Sequence, residues 1–170
     1  DSKNSHRVED LVDYYTKGLS NILAELGVQT DIIDNPIKSG PPFLIGSRIE
    51  SPEFKTILIY GHGDTVPLQV EQWHEGLSPS ELKIVDDKIY GRGVADNKGQ
   101  HLINLLALHS VLKTRKKLGF NLKIIFEMGE EIGSPGLFEL CQEYKDYFKS
   151  DVLIASDGPR VATDVPTIFL

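Results

Sequence analysis

The chain has one cysteine, one methionine and one tryptophan in 170 residues, and aromatic side chains make up only 8% of it. Cys141 has no second cysteine to pair with, which excludes a disulfide-stapled scaffold and fits a reducing compartment. No apolar run approaches the ~20 residues of a membrane span. The opening DSKNSHRVEDL is polar and lacks the apolar stretch of a secretory leader, so the reading is a cytoplasmic protein. Basic residues are outnumbered, 18 Lys and Arg against 25 Asp and Glu, for a net charge of −7. That balance argues against nucleic acid or an anionic membrane as partner. The one basic cluster, Arg115-Lys116-Lys117, is short and falls at an expected helix end, where cations suit the dipole. Internal repeats and low-complexity tracts are lacking too.

A hydrophobic content of 40% in a chain about one domain long is enough for a real core. Val8, Leu11, Val12, Tyr15, Leu19, Ile22, Leu23 and Leu26 recur at three- and four-residue steps, which predicts a helix stopped by Gly27. The proline-rich stretch 34–42 reads as a loop. Strands are expected at 43–49 and 57–60, followed by a long loop from Gly61 to about Leu82. LKIVDDKIYGRG predicts a hairpin turning at Asp86-Asp87. A second helix is expected over 98–113 and a strand over 121–127. Ser134-Pro135 reads as the N-cap and first position of a third helix running to about Phe148. Strands at 152–155 and at the terminal TIFL complete the pattern. Helices alternating with short, continuously apolar strands predict a three-layer α/β/α fold with a mostly parallel central sheet.

In such sheets the site lies at the carboxyl ends of the strands. Three strands run directly into metal-ligand chemistry there: Gly61-His62-Gly63-Asp64 after ILIY, Gly129-Glu130-Glu131 after NLKIIFEM, and Ser156-Asp157-Gly158 after VLIA. Asp96 lies just before the second helix. An imidazole among several carboxylates suits zinc, and such sites often hold two metals roughly 3.5–4 Å apart. A cation is also needed to offset the mutual repulsion of the acids. Asp64 stands two residues after His62 and so points to the same side of extended backbone, where it can orient the imidazole. The pair Glu130-Glu131 allows a division of labour, one carboxylate on metal and the other facing water as general base.

Four segments, GHGDTVP (61–67), YGRGVADNKG (90–99), MGEEIGSPG (128–136) and SDGP (156–159), occur together in an order and spacing that resemble one family. It is the dinuclear zinc peptidase family that includes carnosinase, peptidase T, bacterial glutamate carboxypeptidase, aminoacylase and succinyl-diaminopimelate desuccinylase. The resemblance runs from about Val8 to Leu170. It implies that His62 is the terminal ligand of one zinc, oriented by Asp64, and that Asp96 bridges both metals. It further implies Glu130 as general base, Glu131 as ligand of the second zinc, Asp157 as the ligand completing the first, and a cis peptide between Asp96 and Asn97. Cobalt or manganese are substitutes for zinc in such a site.

The implied activity is hydrolysis of a peptide or amide bond in a small substrate. Aspartate at position 157 resembles the dipeptidase and carboxypeptidase branches more than the deacylases. An N-acyl-amino-acid deacylase, or a binding protein that keeps the fold without catalysis, are the alternatives. The family's last histidine ligand and its lid domain, through which a homodimer would form, fall beyond Leu170. Residues 1–170 are therefore expected to be the N-terminal portion of the catalytic domain, inactive alone and holding at most one metal tightly.

Other features receive plain structural readings. GRGVAD lacks the third glycine of a dinucleotide fingerprint and follows a hairpin. His6, His74, His101 and His109 are expected to have no role in the site, and Cys141 to be a core thiol within the third helix.

Overall fold

The computed structural model describes residues 8–38, 40–159, 161–162, 164–165 and 167–168. The N-terminal helical stretch comprises α1 (Val8–Asp13), a π-helical segment (Tyr14–Leu19) and α2 (Ser20–Glu25). Its buried side chains Leu11, Tyr15, Leu19 and Leu23 come every fourth residue. On an α-helix that stripe would drift about 40° per step. The wider i→i+5 turns of the π segment wind in more residues and hold the stripe in line. Gly27 ends the run with φ +66°, as its sequence position predicts.

The five-stranded sheet has the order β1-β2-β6-β3-β7, from β1 (Gln29–Ile33), β2 (Phe43–Arg48), β3 (Thr56–His62), β6 (Asn121–Glu127) and β7 (Val152–Ala155). Pairing is antiparallel for β1–β2 and β2–β6, and parallel for β6–β3 and β3–β7. Four strands thus point one way and β2 alone opposes them. The hairpin β4 (Lys83–Val85) and β5 (Lys88–Tyr90) stands apart and turns at Asp86-Asp87, as expected.

Both sheet faces are covered. On one, α1, the π-helical segment, α2 and α3 (Lys98–Arg115) pack Leu11, Tyr15, Leu19, Leu23 and Leu105 against Leu44, Ile59, Leu122, Ile124 and Phe126. On the other, α4 (Leu137–Glu143) and the turn after it pack Leu140, Tyr144, Tyr147 and Phe148 against Phe43, Ile45, Leu58 and Ile125. β7 is an edge strand whose Val152, Leu153 and Ile154 are all exposed.

Several sequence expectations are corrected. β1 was not foreseen, because QTDII is half polar and almost wholly exposed at the sheet's edge. The third helix is shorter than predicted. Ser134 does not cap it, since its hydroxyl donates instead to Glu127 Oε1 at 2.9 Å, and Gly136 precedes the first turn with φ +85°. Cys141 is exposed, and its neighbour Leu140 is the helix's buried anchor. Thr167 and Ile168 form no strand, and Phe169 and Leu170 lie outside the described residues, as does His6.

Leu105 is fully buried between α3 and the sheet, whereas Leu102 is 38% exposed one turn earlier. Leu105→Ala should cost about 2–5 kcal/mol, the usual range for a leucine that cannot be refilled. Leu102→Ala should cost less than about 1 kcal/mol. Urea denaturation of the two variants checks the difference, and equal losses would place the core elsewhere.

Candidate metal centre

Parallel pairing brings the carboxyl ends of β3, β6 and β7 to one edge of the sheet. His62 is the last residue of β3, Glu127 the last of β6, and Ala155 the last of β7. Asp64, Glu130-Glu131 and Asp157 follow these ends directly. Asp96 arrives from a different direction, on the loop that opens α3 at Lys98. The peptide between Asp96 and Asn97 is cis, as the resemblance implied.

Around the fully buried imidazole of His62 the five other predicted residues converge. Nε2 faces Asp96 Oδ1 at 3.0 Å, Asp157 Oδ2 at 3.6 Å and Glu130 Oε2 at 3.9 Å. Nδ1 is held by Asp64 Oδ1 at 3.2 Å. Donor atoms of His62, Glu130 and Asp157 lie within 4.8 Å of one another, and so do those of His62, Asp96 and Glu131. The side chains open outward from this floor: Asp157 is 26% exposed, Glu130 38% and Asp96 62%.

Asp64 does more than orient a ring. The backbone N–H groups of Glu130 and Glu131 donate to its two carboxylate oxygens at 3.3 and 3.1 Å, so the same side chain holds the turn after β6. That turn is a single 3₁₀ turn over Glu130–Ile132, and its N-terminal N–H groups are the orphan donors that a carboxylate satisfies.

The cluster favours positive charge at its centre. Burial alone would disfavour an imidazolium at His62. The hydrogen bond and field of Asp64, with Asp157 and Asp96 beyond, outweigh it and lift the ring to about 9. Burial, and then the neighbouring carboxylates of Asp157, Glu131 and Asp64, push Glu130 above the usual carboxylate range despite the opposing pull of His62. One imidazole nitrogen with carboxylate oxygens on several sides is a donor set suited to a divalent cation. The residues present fit such an ion.

Beneath the cluster lies a polar layer not foreseen as part of the site. Asn97 and His101 are both fully buried. Asn97 Oδ1 accepts from the His62 backbone N–H at 3.1 Å, and its Nδ2 donates to the Ser156 carbonyl at 2.7 Å. His101 meets Asn97 Oδ1 through Nδ1 at 3.0 Å and Tyr14 Oη through Nε2 at 2.5 Å. Burial, followed by the positive charges of His62 and Lys98, lowers His101 to about 3. The Lys98 ammonium donates to the Gly63 carbonyl at 2.9 Å, between His62 and Asp64. A signal existed in the sequence: Asn97, His101 and Asn104 recur at steps of four and three, a polar stripe on a helix that is otherwise patterned for a core. His74 is exposed, and His109 pairs with Glu25 at 2.6 Å, away from the cluster.

Known proteins share this arrangement of sequence and fold. The chain is 35% identical over 148 residues to a cysteinylglycine-S-conjugate dipeptidase of Corynebacterium striatum, covering 86% of this chain and 31% of that protein. It is 39% identical over 131 residues to the Beta-Ala-His dipeptidase of Mus musculus, covering 75% and 26%. The crystal structure of human carnosine dipeptidase 1 superposes with a TM-score of 0.79 at 28% identity, over 94% of this chain and 36% of that one. The chain therefore spans only about a quarter to a third of the length of the relatives it matches. The sequence pattern described as peptidase family M20/M25/M40 matches residues 58–167, a stretch that takes in every member of the carboxylate–histidine cluster. By that match over well more than half its length, the chain belongs to peptidase family M20/M25/M40.

Proposed function

We propose that this chain carries the greater part of the active site of a metal-dependent peptidase that hydrolyses the amide bond of a dipeptide-sized substrate. The observation that carries the reading is the two-sided holding of His62, with Nδ1 tied to Asp64 and Nε2 facing Asp96, Asp157 and Glu130. A histidine whose second nitrogen is fixed by a carboxylate is arranged as ligands of catalytic zinc are. Dipeptides are favoured as substrates because the relatives named above are dipeptidases.

In the proposed assignment His62, Asp96 and Asp157 hold one zinc ion, and Asp96 and Glu131 contribute to a second. Bound metal supplies Lewis acidity toward an amide carbonyl and toward water. Glu130, beside a ligand and partly open to solvent, takes a proton from the attacking water and delivers it to the leaving amine nitrogen as the C–N bond breaks. Asp64 keeps the His62 ring in one tautomer and holds the Glu130 backbone at the same time. The open apolar edge of β7 and the threefold greater length of the relatives support reading these residues as part of a larger catalytic domain. The single cysteine fits work in a reducing cytoplasm.

The test is hydrolysis of cysteinyl-glycine and β-alanyl-histidine by the protein at its full natural length, with zinc, cobalt or manganese added. Hydrolysis of N-acetyl amino acids without any dipeptide cleavage would replace this reading by a deacylase. Glu130→Gln should lower kcat by roughly 10²–10⁴-fold, the usual worth of a general base, with metal content nearly unchanged. A variant that keeps normal turnover removes Glu130 from that role. Calorimetric titration of the 170-residue chain with zinc should show at most one tight site, abolished in His62→Ala, because catalytic zinc takes three protein ligands and only the first site has them here. Two tight ions per chain would overturn that division of ligands.

A further inference from the structure

β7 ends at Ala155, opposite Tyr60, yet β3 continues two residues further to His62. Gly63 donates its N–H to Glu127 of β6. Alternation along the strand therefore turns the His62 N–H to the opposite side, toward the space where β7 has run out. The side-chain amide of Asn97 fills that space. Its oxygen accepts from His62 N–H at 3.1 Å and its nitrogen donates to the Ser156 carbonyl at 2.7 Å, so it continues the β3–β7 ladder as a peptide group would. A side-chain amide offers the acceptor and the donor on separate atoms, as this gap requires.

Those two partners fix the amide's orientation, and the orientation fixes its neighbours in turn. Asn97 Oδ1 is an acceptor, so His101 Nδ1, 3.0 Å away, must carry the proton. His101 Nε2 is then the lone-pair nitrogen, and Tyr14 donates its hydroxyl to it at 2.5 Å. The imidazole stacks on Phe126 with ring centroids 4.8 Å apart. It lies so close to β3 that a Cβ on Gly61 would stand 2.7 Å from its Nδ1 and 3.0 Å from Asn97 Oδ1. Asn104, one turn further along α3, donates to the Ser156 hydroxyl at 2.7 Å.

We propose that Asn97, with the neutral, Nδ1-protonated His101 and Tyr14 behind it, is a positioning unit that splices the ends of β3 and β7 so that His62, Asp96 and Asp157 present their donor atoms to a single ion. Each ligand is one step from the splice. His62 owns the N–H that Asn97 accepts, Asp96 precedes Asn97 in the chain, and Asp157 follows the Ser156 carbonyl. The unit touches neither metal nor substrate, and it works by setting the spacing between two strands and one loop. This inference rests on the metal-site reading given under Proposed function.

The experiment loads the full-length protein with Co(II) and follows its visible absorption spectrum and its affinity by chelator competition. Asn97→Ala and His101→Leu should each weaken Co(II) binding about 10–100-fold and alter the spectrum, the usual effect of losing an outer partner of a metal ligand. The double variant should lose little more than the worse single one, since both break one chain of contacts. His101→Gln retains an N–H for Asn97 and should recover most of the affinity, which mere filling of the core would not explain. Tyr14→Phe removes one hydroxyl and should shift affinity in the same direction by a smaller amount. It decides the matter if Asn97→Ala does not fold. Folded variants with native affinity and spectrum would overturn the positioning unit, with His62→Ala still abolishing binding and so leaving the metal reading intact. Absence of Co(II) binding in the unmodified protein would overturn both.

Discussion

The carboxylate of Asp64 accepts from His62 Nδ1 on one side and from the backbone N–H groups of Glu130 and Glu131 on the other. It is buried, at 4% exposure, and so its hydrogen bonds form in surroundings where an unsatisfied charge would be costly. Much of the site depends on it. The His62 ring angle determines where Nε2 points, and the turn after β6 determines where two further carboxylates reach. A single side chain two residues past a strand end thus sets the relation between β3 and β6, which carry four of the six clustered residues.

The counterpart between β3 and β7 is the Asn97 amide. The two junctions differ in chemistry for a physical reason. Between β3 and β6 only N–H groups and a ring nitrogen need partners, so an acceptor-only carboxylate suffices. Between β3 and β7 one partner is an N–H and the other a carbonyl, so the bridging group must both accept and donate. A neutral layer at this level has a second effect. The cluster above already gathers Asp96, Glu130, Glu131 and Asp157 around one imidazole, and a further carboxylate beneath it would add to that repulsion. Asn97, neutral His101 and Tyr14 supply hydrogen bonds without charge.

The fold was legible where the sequence carried strong periodicity. The strand at 121–127, the hairpin turn at Asp86-Asp87 and the stop at Gly27 all follow from local rules that the structure obeys. The misses share a cause. β1 is an exposed edge strand held by its neighbour rather than by its own apolar pattern. The helix at Ser134 was read from a cap, but the hydroxyl found a better partner in the buried Glu127. Cys141 belongs to a short helix whose buried side is set by Leu140, a choice that depends on which face meets the sheet.

For the site, the strand-end positions of His62, Asp64, Glu130, Glu131 and Asp157 could be read directly, because a parallel sheet sends the carboxyl ends of its strands to one edge whatever the details of packing. The sequence by itself therefore determined which residues gather and what chemistry they offer. It named His62 as a ligand but did not reveal that His101 supports the site from below. His62 and His101 are both fully buried, and only the packing of α3 across the end of β3 turns one toward carboxylates and the other toward an amide and a phenol. The tertiary structure decided that point, because the burial of both rings and partners such as Asp96, 34 positions from His62, and Tyr14, 87 positions from His101, come from packing that no local pattern encodes.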